Sequence, residues 1–320
     1  MSTLAPLTSD AKRHNILPQL NGVIVLNKPS GPSSARCLTM LKHMGQKKIG
    51  HAGTLDPMAS GVLLVLLGQA TKLSGHLMAD GGKVYSGVIR LGMTTTTWDT
   101  EGEVTSKSAW EHVCTEDVCH AIAAWCELSE QPVPPYSAAK QQGQPLYRLA
   151  RKGMVVTPRF KSLKISRADT LDVRLPYVRF RVACSSGTYV RSLAHSLGMR
   201  LGCGAVLTEL TREYSHPFGL DEACTLSEIV AEPSILVSRV RSIDEALPRW
   251  NKVAVSHDEA RRLRHGMSIS CHAMGDSKPS AVDEDCALLL DEGKPLALAR
   301  RENTPAGPCW TIIRGLWSQP

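Results

Sequence analysis

Asp56 lies in the stretch Gly50-His51-Ala52-Gly53-Thr54-Leu55-Asp56-Pro57-Met58-Ala59-Ser60-Gly61, between a glycine-rich turn and a proline and just ahead of the apolar run Val62 to Leu67. Glycine permits close approaches closed to other residues, while Pro57 fixes its own φ and pushes Asp56 out of the helical region. The carboxylate is therefore presented from a constrained loop. Two uses fit it: capping a turn or starting a helix, the commonest job of an Asp before Pro, or nucleophilic attack in covalent catalysis. A nucleophilic carboxylate must stay ionised. A free aspartate titrates near ~3.9, burial under a substrate raises that by about 3 to 5 units, and an arginine partner lowers it by about 1 to 3.

The elements that must position it are readable from periodicity. Gly22-Val23-Ile24-Val25-Leu26 is an apolar strand ending in the turn Asn27-Lys28-Pro29-Ser30-Gly31, where Lys28 reads as structural. Ser33 or Ser34 caps a helix carrying Leu38, Leu41 and Met44 and closed by Gly45, which leads into the Asp56 loop. Lys83 to Gly92 is a strand on which Tyr85 shares a face with Ile89, so Tyr85 is either an ordinary core tyrosine or a ring shown to a ligand. Val178, Phe180 and Val182 alternate as a strand, the chain turns at Gly187, and a helix follows with Leu193, Leu197 and Leu201 before Gly202. Arg191 falls in the first turn of that helix. The macrodipole favours anions there, so this arginine requires a compensating partner. The Gly202-Cys203-Gly204 beyond it lacks the third glycine and the preceding strand of a dinucleotide-binding loop.

Five segments together, from residue 22 to about residue 215, resemble the TruB family of pseudouridine synthases. Gly50 to Gly61 is similar to the G-H-x-G-T-L-D-P-x-A-x-G signature around that family's catalytic aspartate, and Gly22 to Gly31 to its opening strand and K-P-x-G turn. Lys83 to Gly92 resembles K-x-Y-x-x-x-x-x-L-G. Ser186-Gly187-Thr188-Tyr189-Val190-Arg191-Ser192-Leu193 resembles K-G-T-Y-I-R-x-L, with Ser186 where lysine is usual. Gly202 to Arg212 resembles L-G-x-x-A-x-x-x-x-L-R-R, with Thr211 in place of the commoner arginine.

The resemblance implies an α+β fold, with a central mixed or antiparallel sheet flanked by helices, in a catalytic unit spanning 21–247. It implies Asp56 as nucleophile, Arg191 as the partner that keeps it charged and pointed, and Tyr85 stacked on the target base and helping to move a proton. Tyr189 and Leu210 line the base pocket. His51 supports an everted RNA loop by stacking; from the residues alone it is a turn histidine bonded to the backbone. The implied reaction isomerises uridine 55 in the T-loop of tRNA. The nucleotide flips out at a cost of a few kcal/mol, and its base detaches from the ribose, rotates and rejoins through carbon. Nothing is oxidised, transferred or hydrolysed, so neither a cofactor nor a metal is expected.

Composition agrees with an RNA partner. Against 30 Asp+Glu stand 37 Lys+Arg, a net charge of +7, and 320 residues suggest one large unit and one small one. Seven basic residues (Lys140, Arg148, Arg151, Lys152, Arg159, Lys161, Lys164) and no acid lie between Gln131 and Ile165, interleaved with Tyr136, Tyr147 and Phe160 and with turn formers. A charge run is most often a solvated face; this one also suits a projecting segment that grips phosphates. It is similar to the insertion with which TruB enzymes clasp the tRNA T-arm, making Lys140, Arg148, Arg151 and Lys152 the RNA-binding candidates in an insertion at about 131–165. The ten cysteines contain no C-x-x-C pair, so neither zinc spacing nor a disulfide framework is visible. Residues 1–20 read as a loose polar tail, and Val62 to Leu67 is far shorter than the roughly 20 residues that span a bilayer. A cytoplasmic protein is expected, with tRNA as partner and neither membrane nor partner protein required.

Further elements follow from local signals. A helix starts at Thr115 with Val118, Ile122 and Trp125 on one face, and capping boxes at Thr225-Leu226-Ser227-Glu228 and Ser256-His257-Asp258-Glu259 mark two more. Beyond a linker near Leu247-Pro248, residues 248–320 hold one helix, Glu259 to His265, and strands at Ala287 to Leu290, Leu296 to Ala299 and Trp310 to Leu316. That is similar to the small β-rich PUA-like domain with which many TruB enzymes touch the acceptor end. The acids Asp283-Glu284-Asp285 and Asp291-Glu292 work against RNA on their own side. Two other functions stay open here: a tRNA-binding folding chaperone in which Asp56 is only a turn residue, and a guide-RNA-dependent pseudouridine synthase subunit, a branch that typically lacks the basic insertion. A glycosidase-like hydrolase needs two carboxylates flanking the bond, and these motifs carry one.

Overall fold

Strand β1 (Gly22–Lys28) opens the catalytic unit, followed by α1 (Ser34–His43), β2 (Ile49–Ala52), β3 (Ser60–Leu67), α2 (Ser74–Ala79) and β4 (Lys83–Leu91). The computed structural model describes residues 17–79, 81–137, 139–151, 154, 159–271, 285–305 and 307–317, with backbone alone at 140, 145, 147, 150 and 151. Residues 1–16 of the polar N-terminal segment, Lys152 and the acids Asp283 and Glu284 lie outside the described residues. Leu17 and Leu20 pack against the core.

A small hairpin of β5 (Met93–Thr95) and β6 (Val104–Lys107) and the helix α3 (Thr115–Ala123) precede the basic stretch. That stretch contains β7 (Glu130–Pro132), β8 (Lys140–Gln141), β9 (Gln144–Pro145), α4 (Leu146–Arg151) and β10 (Phe160–Ser162). Then come the long hairpin β11 (Ile165–Arg174) and β12 (Tyr177–Cys184), the helix α5 (Val190–Arg200), and the strands β13 (Ala205–Ser215), β14 (Phe218–Gly219) and β15 (Cys224–Thr225). Local signals place the helix ends. The Ser33 hydroxyl accepts from the Arg36 N–H at 3.3 Å, and Gly45, with φ +102°, follows the last turn of α1.

The central sheet runs β11-β12-β4-β13-β3-β1-β15, with β2 on β3 and β14 on β13. Its pairings are antiparallel except β13 with β3 and β1 with β15, so it is mixed, as the α+β expectation has it. Strands β1 and β3 are apolar without alternation because both faces of the sheet are covered. Ile24, Leu26, Leu63, Val65 and Leu67 share one core cluster with residues of α1, α3 and α5 on one side. Val23, Val25, Val62, Leu64 and Leu66 meet Trp250, Leu288, Leu298 and Leu316 on the other.

Those last four belong to the C-terminal unit, built of β16 (Asn251–Val255), the helix His257–Arg264, β17 (Ile269–Ser270), β18 (Cys286–Asp291), β19 (Lys294–Thr304) and β20 (Gly307–Gly315). Its five strands run β16-β18-β19-β20-β17, a β-rich sheet of PUA-like kind. Strand β18 alternates: Cys286 and Leu288 face the catalytic unit, while Ala287 and Leu289 face the unit's own core with Leu263, Ile269 and Trp310. The connection at Leu247-Pro248 passes through the shared cluster, where Leu247 is fully buried. Lys72 adds polar ties, its Nζ donating to the carbonyls of Gly315 at 2.7 Å and Trp317 at 3.0 Å.

The parallel contact between β3 and β13 depends on Gly61, whose φ is +100° and whose missing Cβ would collide with the backbone of Arg212. Gly61→Ala is expected to destabilise the protein by about 2 kcal/mol or more, from left-handed strain plus the separated strands. A denaturant midpoint equal to wild type would show that the two strands part without cost.

Candidate active site

The loop that joins β2 to β3 carries Asp56 and is laced to the turn after β1. Lys28, with 0 % exposure, donates through Nζ to the carbonyls of Pro29 (2.9 Å), Pro57 (3.2 Å) and Ala59 (2.7 Å). The Gly31 N–H donates to Pro57 O at 2.8 Å and the Ser30 hydroxyl to Met58 O at 2.9 Å. Ser34 Oγ donates to Leu55 O and accepts from the Leu55 N–H, each at 3.0 Å. A buried ammonium satisfied by three carbonyls is a strut, which matches the structural reading of Lys28. The Asp56 side chain takes no part in this lacing and is 37 % exposed.

Arg191 meets it from the first turn of α5. Nε lies 2.9 Å from Asp56 Oδ2 and Nη2 donates to Asp56 Oδ1 at 3.1 Å, a two-point fork that fixes the direction of both oxygens. The remaining donors are also used: Nη1 to Thr97 O at 3.0 Å and Nη2 to Tyr136 O at 3.1 Å. A second acid, Asp99, stands 3.6 Å from Nε with its side chain 3 % exposed. Asp99 accepts from the Thr97 hydroxyl and from the Glu101 N–H at 3.0 Å. Its loop is held by Trp98, which takes a φ of +64° and stacks flat on His195 one turn along α5, with centroids 4.4 Å apart. Compensation of an arginine at a helix start was readable from the chain; this second acid was not. The only signal for it is its place eight residues after Leu91, the end of β4.

The pair opens on a cavity of about 630 Å³ whose walls include Tyr85, Tyr189 and Leu210. Four of the candidates, Asp56, Arg191, Tyr85 and Tyr189, thus come together with Leu210. Tyr85 is both things the strand pattern allows, a 6 % exposed core residue and a wall of the cavity. Burial pushes its phenol up, and the charge and hydrogen bond of Arg212 partly oppose that. Burial likewise pushes Tyr189 up. Arg212, 1 % exposed, donates through Nε to Val62 O at 2.6 Å and through Nη2 to Gly53 O at 2.9 Å. Lys83 is brought down to about 8, by burial first and then by the charge of Arg212.

His51 is not a turn residue. It sits in β2 opposite Val65, half-buried and not among the residues that line the cavity, with a buried Nδ1 lacking a hydrogen-bond partner. Burial, then the charge of Arg212, holds it below the usual histidine range. Of the basic candidates, Arg148 is exposed on α4, the side chains of Lys140 and Arg151 are outside the described residues, and so is Lys152.

A partly exposed carboxylate forked by a buried guanidinium, in a tyrosine-walled and cation-rich cavity, has the chemistry a carboxylate nucleophile needs, beside aromatic and cationic groups that suit a ring-bearing anion. Residues 41–190 match the family model described as TruB family pseudouridylate synthase (N terminal domain). The tRNA pseudouridine synthase B of Oleidesulfovibrio alaskensis is 56 % identical over 303 residues, covering 94 % of this chain and 98 % of its own. That of Nitratidesulfovibrio vulgaris (strain Miyazaki F) is 55 % identical over 307 residues, covering 95 % and 99 %. The solved structure titled "Crystal Structure of a Cbf5-Nop10-Gar1 Complex" shares the fold, with a TM-score of 0.66 at 22 % identity over 96 % of this chain and 87 % of that one. The chain belongs to the TruB family of pseudouridine synthases.

Asp99→Asn removes one of two acids from a buried guanidinium while keeping the volume. It is expected to cost about 1–3 kcal/mol of stability, the range for a buried polar group that loses a partner, read as a lower urea midpoint at constant m-value. No change would mean that Asp56 and the two carbonyls satisfy Arg191 by themselves.

Proposed function

We propose that this chain isomerises uridine 55 in the T-loop of tRNA to pseudouridine, with Asp56 as the nucleophile. The two-point Asp56–Arg191 fork at the cavity is the observation that carries the reading. The target nucleotide flips out of its stack into the cavity, where Tyr85 stacks on the base and Tyr189 and Leu210 bound it. Asp56 attacks the nucleotide, the base is released, turns, and rejoins the ribose through carbon. Arg191 keeps the attacking oxygens aimed throughout. Tyr85, whose proton is held tightly by burial, is placed to exchange it with the base. His51, on the strand just before the loop, supports the everted RNA by stacking.

The basic stretch from 131 to 165, with Lys140, Arg148, Arg151 and Lys152, clasps the T-arm through its phosphates, and the C-terminal sheet reaches toward the acceptor end. No helix among the described residues is long and apolar enough to cross a membrane, and the substrate places the enzyme in the cytoplasm. Relatives over 50 % identical along almost the whole chain, named tRNA pseudouridine synthase B, support a tRNA substrate.

The test is purified protein with tRNA and with a bare T-arm hairpin, mapping pseudouridine at nucleotide resolution. Wild type should modify position 55 in both, whereas Asp56→Asn should bind RNA and form none. Full turnover by Asp56→Asn would leave an RNA chaperone with a bystander acid, and a need for guide RNA would point to the other branch. A pH dependence follows from Lys83: its charge is present below about 8 and lost as pH rises through that value. Hairpin affinity should therefore weaken between pH 7 and 9, and Lys83→Arg, which stays charged, should abolish that step. An identical pH profile in both proteins would remove Lys83 from substrate binding.

A further inference from the structure

The cavity holds more positive charge than its acid can balance. Lys83, Lys161, Arg191 and Arg212 line it, against Asp56 alone. Arg191 is committed to Asp56 and Asp99. Arg212 donates to the Val62 and Gly53 carbonyls, and the Lys83 ammonium lies 3.2 Å from the Ser186 hydroxyl. Among the described residues, none of Lys83, Lys161 and Arg212 is ion-paired with an acid. Three cations facing one cavity repel one another, and the charges of Arg212 and Lys161 add to the burial that lowers Lys83.

Lys161 comes from the basic stretch, on β10, where it pairs with Gln131 of β7. It is exposed, and its ammonium reaches over the turn Ser185-Ser186-Gly187, filling the space a Cβ on Gly187 would take. From there it lies 5.9 Å from the centre of the Tyr189 ring. Gln131 Nε2 ties the same turn to β7, donating to Gly187 O at 3.5 Å. This is the turn at which Ser186 stands where the resembling motif carries lysine. A positive charge thus stands beside position 186 all the same, brought through space by Lys161 from β10.

We propose that Lys161, with Lys83 and Arg212, forms a phosphate site at the lip of the cavity that takes one phosphodiester flanking the everted uridine, making Lys161 a substrate-positioning residue. The inference rests on the pseudouridine synthase reading, since that reaction brings a flipped nucleotide, and with it a phosphodiester monoanion, to this wall. The first turn of α5 has no side-chain cap and faces the same space, so its field also favours an anion.

The experiment uses the full chain and T-arm hairpins carrying a neutral methylphosphonate 5′ or 3′ of the target uridine. Lys161→Ala should raise Kd and KM about tenfold, the effect of one lost charge-assisted contact, with a smaller change in kcat. Lys161→Arg should bind nearly as wild type, and Lys161→Ala combined with Ser186→Lys should recover most of the loss. One of the two methylphosphonates should weaken wild type about tenfold, yet weaken Lys161→Ala by less than about twofold, because the two changes remove one contact. Wild-type affinity in Lys161→Ala, or losses that multiply for both methylphosphonates, would overturn the proposal. The binding cycle needs no turnover: a wild type that shows the coupling but forms no pseudouridine would refute the isomerase reading and leave the phosphate site standing.

Discussion

Everything in the catalytic unit converges on one guanidinium. Arg191 joins Asp56, 135 positions away in the chain, to Asp99, Thr97 and Tyr136. An arginine with a side chain 6 % exposed at the positive end of a helix is costly unless its donors are met and its charge is countered. The fold meets that cost with three separate segments, and the two acids differ in a way that matters. Asp99, nearly sealed, is the fixed anchor, while Asp56 is the member left open to the cavity. A lysine in the same place would supply one point charge and leave the carboxylate free to rotate.

Buried cations recur around the site, and their partners distinguish their roles. Lys28 donates to three carbonyls and thereby sets the shape of the Asp56 loop. Arg212 ties β13 to β3 and to Gly53 at the loop's first turn. Neither uses an acid. Carbonyl partners satisfy the donors yet leave the net charge in place, so the cavity keeps a positive field suited to a polyanion. The Asp56 loop therefore has both its ends held by cations that keep their charge.

Much of this was legible in the chain because it rests on local signals: the Asp56-Pro57 constraint, the helix start at Arg191, the strand face of Tyr85, the capping boxes at Thr225 and Ser256. What was not legible depends on tertiary register. Asp99 gains its role from a loop whose Trp98 stacks on a helix residue almost a hundred positions later. His51 looks like part of a glycine-rich turn, but pairing of β2 with β3 draws it into the sheet. The unbroken apolar run Val62 to Leu67 reflects a second covering layer from the C-terminal unit, which the run itself does not name. Lys161 is one charge among seven until β10 pairs with β7 and sets it over Gly187.

The rigid and adaptable parts of the molecule follow from the same contacts. Strands β1 and β3 are packed on both faces, so the platform under Asp56 has little room to move. Adjustment to RNA must fall on the basic stretch, yet that stretch is not independent of the chemistry at its root. The Tyr136 carbonyl is one of the acceptors of Arg191, and the Ser192 hydroxyl of α5 donates to Pro132 O at 2.7 Å. The basic stretch thus shares two hydrogen bonds with the helix that carries Arg191. A displacement of that stretch therefore acts on the Arg191 fork directly.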